Sequence, residues 1–192
     1  MQKIGLQTPS SILYSSITDR YLVSNINGKP SDKDNNGFIS VVQPNGKIQE
    51  KRWIDGSSDK YQLHAPKGLA IRNAKLYVAD IDTVRVFAIE DGKWLKDLEV
   101  KDAVSLQDIT VANNILYLTD RGPIPAKKDH QGGIYQIDEQ DKVSPIGVKS
   151  PPSPSGITGH EGTLMVLSSS AAKLYTLAEN ETIFQEQPLP KS

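Results

Sequence analysis

The chain has 192 residues, enough to bury a sizeable core, with 22 Lys plus Arg against 23 Asp plus Glu and a formal net charge of -1. That balance gives no general attraction to nucleic acid or anionic lipid, so neither is an expected partner. Cysteine is absent, which removes disulfides, thiol catalysis and cysteine-ligated metal sites.

Residues 1–9 lack the apolar core of a signal peptide, and no window approaches the roughly 18 apolar residues of a membrane helix. The expectation is a soluble protein, cytoplasmic if the chain is complete and periplasmic if a signal has been removed.

In chain order the short apolar runs fall into four similar groups. The first group is 9–14 (PSSILY), 20–25 (RYLVSN) and 37–42 (GFISVV), then a Pro44-Asn45-Gly46 turn and a more polar fourth run. The second is 66–71 (PKGLAI), 75–80 (KLYVAD) and 83–89 (TVRVFAI), with a turn at Glu90-Asp91-Gly92. The third is 106–111 (LQDITV), 115–120 (ILYLTD) and 133–137 (GIYQI), with a turn at Glu139-Gln140-Asp141. The fourth is 154–159 (PSGITG), 163–168 (TLMVLS) and 173–177 (KLYTL), followed by Glu179-Asn180. Turn formers such as Arg72-Asn73-Ala74 and Ala112-Asn113-Asn114 join the first two runs as tight hairpins.

Four strands per unit, recurring at roughly 40 to 50 residues, is the pattern of propeller blades. A β-sandwich or barrel also suits short, evenly spaced strands, but neither explains why residue types recur at matched positions. The expected fold is all-β: a propeller of four-stranded antiparallel blades, about four in this chain. It is read as a single domain over 1–192, with blades near 9–54, 64–100, 104–148 and 151–190. Either the four blades close as a small ring, or a second copy, a partner chain or the missing end of a longer gene completes it, because an open propeller leaves apolar blade faces exposed.

Two insertions follow second strands, at 27–37 and 121–133, and are expected as polar loops on one rim of the disc. Asn25, Asp80 and Asp120 occupy equivalent places just before such connections. They either cap turns or converge as two carboxylates and an amide around a ligand or cation. Gln107, Asp108 and Lys67 begin inner strands that face the channel, where a sugar-like or anionic ligand would fit. His64, His130 and His160 have no metal-ligand spacing, and no phosphate-binding glycine loop occurs. Trp53 and Trp94 are expected to pack between blades.

The segments 8–14, 21–31, 65–71, 76–82 and 107–111 together resemble bacterial members of the gluconolactonase and senescence-marker-protein superfamily, over nearly the whole chain. The resemblance implies a six-bladed propeller scaffold whose enzymatic members hold a divalent cation in the channel to open lactones or hydrolyse esters. It also implies ligands that this chain does not keep. Ser10 stands where a Glu is expected, Ser155 where the Asn of Pro-Asn-Gly is expected, Gln107-Asp108 replaces Asn-Asp, and Ser168-Ser169-Ser170 replaces a late Asp. Serine hydroxyls are poor substitutes for carboxylates around a hard cation.

Two readings follow. In one the chain is a non-catalytic scaffold holding a small polar molecule or a protein at the channel mouth, with Asn25, Lys67, Asp80, Gln107 and Ser155 as contacts. In the other it is a metal-dependent lactone or ester hydrolase, with Asn25, Asp80, Asp108 and Asp120 holding Ca, Zn, Mn or Mg and with Asp108 and Asp120 catalytic.

Overall fold

The computed structural model of the chain describes residues 5–124, 132–178 and 181–188, and no helix occurs among them. Part of the second insertion, residues 125–131 with His130, lies outside the described residues. So do the Glu179-Asn180 turn and residues 1–4 and 189–192.

Each predicted unit is an antiparallel sheet of four strands in sequence order. The first blade is β1 (Pro9–Ser15), β2 (Arg20–Asn25), β3 (Phe38–Val42) and β4 (Ile48–Asp55). The second is β5 (Pro66–Arg72), β6 (Lys75–Asp80), β7 (Thr83–Ala88) and β8 (Trp94–Glu99). The third is β9 (Leu106–Ala112), β10 (Ile115–Asp120), β11 (Gly133–Ile137) and β12 (Val143–Pro145). The fourth is β13 (Pro154–His160), β14 (Thr163–Ser168), β15 (Lys173–Ala178) and β16 (Gln185–Gln187).

The inner hairpins turn where the sequence supplies residues tolerant of left-handed backbone. Asn113 and Asn114 have φ of 49° and 61°, and Asn73 and Ala74 have 50° and 57°. Two successive positive φ values make the primed turn whose twist suits a two-residue hairpin. In the fourth blade Glu161-Gly162 does the same, with φ of 47° and 74°.

Side chains alternate across each strand, so each middle blade buries both faces. Leu76 and Val78 of β6 pack with Leu22 and Ile39 of the first blade. Their neighbours Tyr77 and Ala79 pack with Leu106 and Leu116 of the third. A third cluster, around Ile134, Ile157 and Val166, joins the third and fourth blades. Full burial of a side chain such as Leu76 contributes about 2 kcal/mol. Inner strands pack in the order β1, β5, β9, β13, and β13 does not pack back on β1 in the same way. The result is an open arc of four propeller blades.

Trp53 packs at the junction of the first two blades, as expected. Trp94 does not pack between blades: it is exposed, and its Nε1 donates to Asp97 at 3.0 Å.

One polar junction reinforces the apolar ones. Arg72 at the end of β5 crosses to the third blade, donating to the carbonyls of Ile137 at 2.9 Å and Asn114 at 3.1 Å and to Asp141 Oδ1 at 2.6 Å. Tyr77 donates to the same oxygen at 2.7 Å, and Lys96 reaches Oδ2 at 2.5 Å. Burial works against ionising Asp141. The bonds from Lys96 and Tyr77 and the charges of Lys96 and Lys75 more than offset it and hold the pKa down to about 2.

Replacing Asp141 with Ala strands the buried Arg72 guanidinium, with an expected loss of about 3 kcal/mol in urea unfolding. The sign of the pH effect follows from a folded pKa below the ordinary 3.8. The Asp141 contribution is complete above about pH 4 and disappears as pH falls toward 2, so the Ala variant loses less stability than the wild type across that window.

Candidate functional site at the mouth of the arc

Asn25, Asp80 and Asp120 each end the second strand of a blade, and each is buried against the segment entering the first strand. Asn25 Oδ1 accepts from the Gln7 amide at 2.9 Å, while its Nδ2 donates to Val23 O and Ser40 Oγ. Asp80 accepts from the amides of Ala65 at 2.7 Å and His64 at 3.1 Å, and pairs with Arg85 Nε at 3.1 Å. Asp120 accepts from the amides of Ser105 at 2.7 Å and Gly122 at 3.1 Å. In the fourth blade Ser168 stands at this position and donates to Pro152 O at 2.5 Å.

These side chains tie strand ends together within their own blades, and none of them lines the central cleft. Among the described residues no group of three or more His, Asp and Glu side chains gathers as a cation site.

Asp108 does line that cleft, a space of about 610 Å³ bounded by β1, β5, β9 and β13. Its Oδ1 accepts from the Ile109 amide at 2.9 Å, and its Oδ2 from the Ile157 amide at 3.0 Å, so the carboxylate bridges the third and fourth inner strands. Burial raises its pKa against those two amides, which favour the charged form. Gly68 allows β5 to lie against β9 here, since a Cβ on it would sit 2.6 Å from Asp108 Cα. Ser155 turns its hydroxyl to Leu167 O at 3.2 Å, and its own carbonyl accepts from Thr119 Oγ1 at 2.9 Å.

Lys67 is in a different setting. It is 3% exposed, and its ammonium makes one hydrogen bond, 3.3 Å to the carbonyl of Pro30 in the first long loop. Burial, with a smaller contribution from Arg121, lowers its pKa to about 8 against Asp80 and Asp120, which favour the charge. That Pro30 is also on the wall of a cleft of about 330 Å³, with Ser31 beside it and Arg121, Gly122, Pro123 and Ile124 on the other side; Lys67 itself does not line this cleft. Residues 30–31 of the first insertion and 121–124 of the second thus lie on the same rim, as their matched places in the repeat predict. Ser105 and Val104 complete the wall, and Gln107 Nε2 donates to Ser105 Oγ at 2.9 Å.

Arg121 was not singled out in the sequence. The signal was its position, immediately after Asp120 and first in the second insertion. Its Nε is buried with no hydrogen-bond partner, and its guanidinium makes no hydrogen bond among the described residues. Arg72 Nε is also unpartnered, but the other nitrogens of that guanidinium are held by carbonyls and Asp141. Among the described residues the mouth thus combines a buried ammonium with one acceptor and a guanidinium whose buried Nε has none, an arrangement that favours an anionic oxygen.

No protein-family model matches the chain, and no curated protein matches it. Solved structures do. A "putative gluconolactonase" superposes with a TM-score of 0.68 at 14% identity, covering 95% of this chain and 64% of that one. Hydrazine synthase of Kuenenia stuttgartiensis gives 0.67 at 16% identity, covering 95% of this chain and 49% of that one. The computationally designed Ika4 protein gives 0.61 at 13% identity, covering 93% and 98%. The chain thus spans less than two thirds of the first two structures. At these identities the likeness establishes the propeller scaffold, in agreement with the fold that the sequence resemblance implied. Among the described residues no helix is long and apolar enough to cross a membrane.

The clamps predict a graded stability series. Asp80→Ala removes the acceptor of two buried amides and the partner of Arg85, with an expected cost of about 3 to 5 kcal/mol. Ser168→Ala removes two neutral hydrogen bonds, one donated to Pro152 O and one accepted from the Ala171 amide, and is expected to cost about 1 to 2 kcal/mol in the same denaturant titration.

Proposed function

We propose that this chain is a non-catalytic propeller scaffold that binds a small molecule through an anionic group at the mouth between the first three blades. One observation carries the reading: Arg121 lines a cleft between residues 30–31 and 121–124, its Nε is buried without a partner, and the buried Lys67 ammonium donates to the Pro30 carbonyl of the same wall. A carboxylate or phosphate oxygen would supply the missing acceptors, and a charge-assisted bond of this kind contributes about 1.5 to 3 kcal/mol. Ser31 and the Gln107–Ser105 pair offer further polar contacts on the same wall. The likeness to a "putative gluconolactonase" supports the propeller scaffold, and the ligand reading rests on the residues of the mouth.

Titration calorimetry with gluconate and with inorganic phosphate tests the reading. Lys67→Met and Arg121→Ala are each expected to weaken the wild-type affinity by about 10-fold or more. Equal affinities in wild type and both variants would falsify it. Stoichiometric divalent metal in the purified protein, together with cation-dependent hydrolysis of aldonolactones, would replace it with the hydrolase reading.

The pH dependence has a definite sign. The folded pKa of Lys67, about 8, lies below the ordinary 10.5, so between those values the unfolded chain holds more protons than the folded one. Wild-type stability therefore receives a rising contribution from pH 8 to 10.5, and Lys67→Met lacks it. Anion affinity falls over the same rise through pH 8 as the ammonium is lost.

A further inference from the structure

Every internal junction of the arc joins the same two kinds of surface. The register pairs Leu69 with Val78 and Ala70 with Tyr77 in the second blade. Leu69, Leu76 and Val78 point back to the first blade, while Ala70, Tyr77 and Ala79 point forward to the third.

The same register places Ile12, Tyr14 and Val23 at backward positions of the first blade. It places Met165, Leu167 and Leu174 at forward positions of the fourth. Neither surface is covered by a blade among the described residues. Ile12 is 65% exposed where its counterpart Leu69 is 4%, and Leu167 is 54% exposed where its counterpart Ala79 is 0%. Tyr14 and Met165 are exposed too, at the positions of Ile71 and Tyr77. The two ends of one chain therefore display the two halves of a junction that the chain builds three times internally.

We propose that a second copy of this chain covers both surfaces. The forward face of its fourth blade packs on the backward face of the first blade here, and the reciprocal contact closes a two-chain ring. Three features of the structure select this occupant. The exposed residues are apolar and sit at register positions that elsewhere bury against a blade of the same kind. One additional copy covers both open surfaces at once, using a single junction twice. A closed pair leaves neither open face free, whereas an unpaired arc exposes Ile12, Tyr14, Met165 and Leu167 to water.

Light scattering at tens of micromolar protein, with circular dichroism and a thermal melt to establish folding, tests the proposal. The wild type is expected at twice the 21.1 kDa chain mass. Ile12→Asp and Leu167→Asp, each carrying a charge into the junction, are each expected at one chain. An equimolar mixture of the two variants is expected to return to two chains, because the unaltered fourth blade of Ile12→Asp meets the unaltered first blade of Leu167→Asp. A wild-type mass of one chain, or of more than two, overturns the proposal. So does a pair broken by only one of the two substitutions, which would mean that like faces meet like. The wild-type mass decides the question even if a variant fails to fold.

Discussion

A four-stranded sheet that carries apolar side chains on both faces is stable only when both faces are covered, and the other features of this chain follow from meeting that demand by stacking like upon like. In the second blade the demand is met completely. Leu76 and Val78 are buried on one side, Tyr77 and Ala79 on the other, and the alternation costs nothing in backbone hydrogen bonding because each strand is already paired within its own sheet. At the ends of the arc the same alternation leaves one face of the first blade and one of the fourth without a partner. The constraint that builds the three internal junctions is thus also what makes the two terminal surfaces chemically matched.

Stacking places the sheets, and a second layer of polar contacts holds the strands that line the centre. Asn25, Asp80, Asp120 and Ser168 each fasten the segment entering an inner strand to the end of the strand beside it. Asp108 links two inner strands to each other, and Arg72 with Asp141 links two blades near the turns of the opposite strand ends. Most of the carboxylates that suggest chemistry in the sequence are therefore engaged as acceptors for backbone amides or cations, which removes charge from water without leaving it unpaired.

That leaves the cationic side of the ledger. Lys67 is carried into the interior by β5, at a position where its neighbours in the strand are packed on both sides, and among the described residues it donates to the Pro30 carbonyl. Arg121 is held at the rim by the bond from its backbone amide to Ser105 O at 3.0 Å. This donor-rich wall, formed where the first loop meets the start of the second, sits where a rigid scaffold leaves sequence free to vary. The scaffold's contribution is to fix those donors before any ligand arrives, which reduces the ordering cost of binding.

The sequence by itself determined the strands, their grouping by four, the hairpin turns and the two loops that stand apart from the repeat. These are set by local alternation and by turn residues such as Asn73 and Asn113-Asn114, which act over a few residues and recur visibly. It also pointed to Lys67, because that residue begins an inner strand at the place that Gln107 and Asp108 occupy in the next blade. Only the tertiary structure decided the roles of Asn25, Asp80 and Asp120. An Asx residue at a strand end reads the same whether it clamps a backbone amide or faces a ligand, and the choice depends on where a segment some fifteen residues away in sequence comes to lie. The tertiary structure likewise decided that Arg121 Nε has no partner among the described residues and that Ile12 and Leu167 are exposed, since being unpaired is a property of the space around a side chain and not of the residues beside it in the chain.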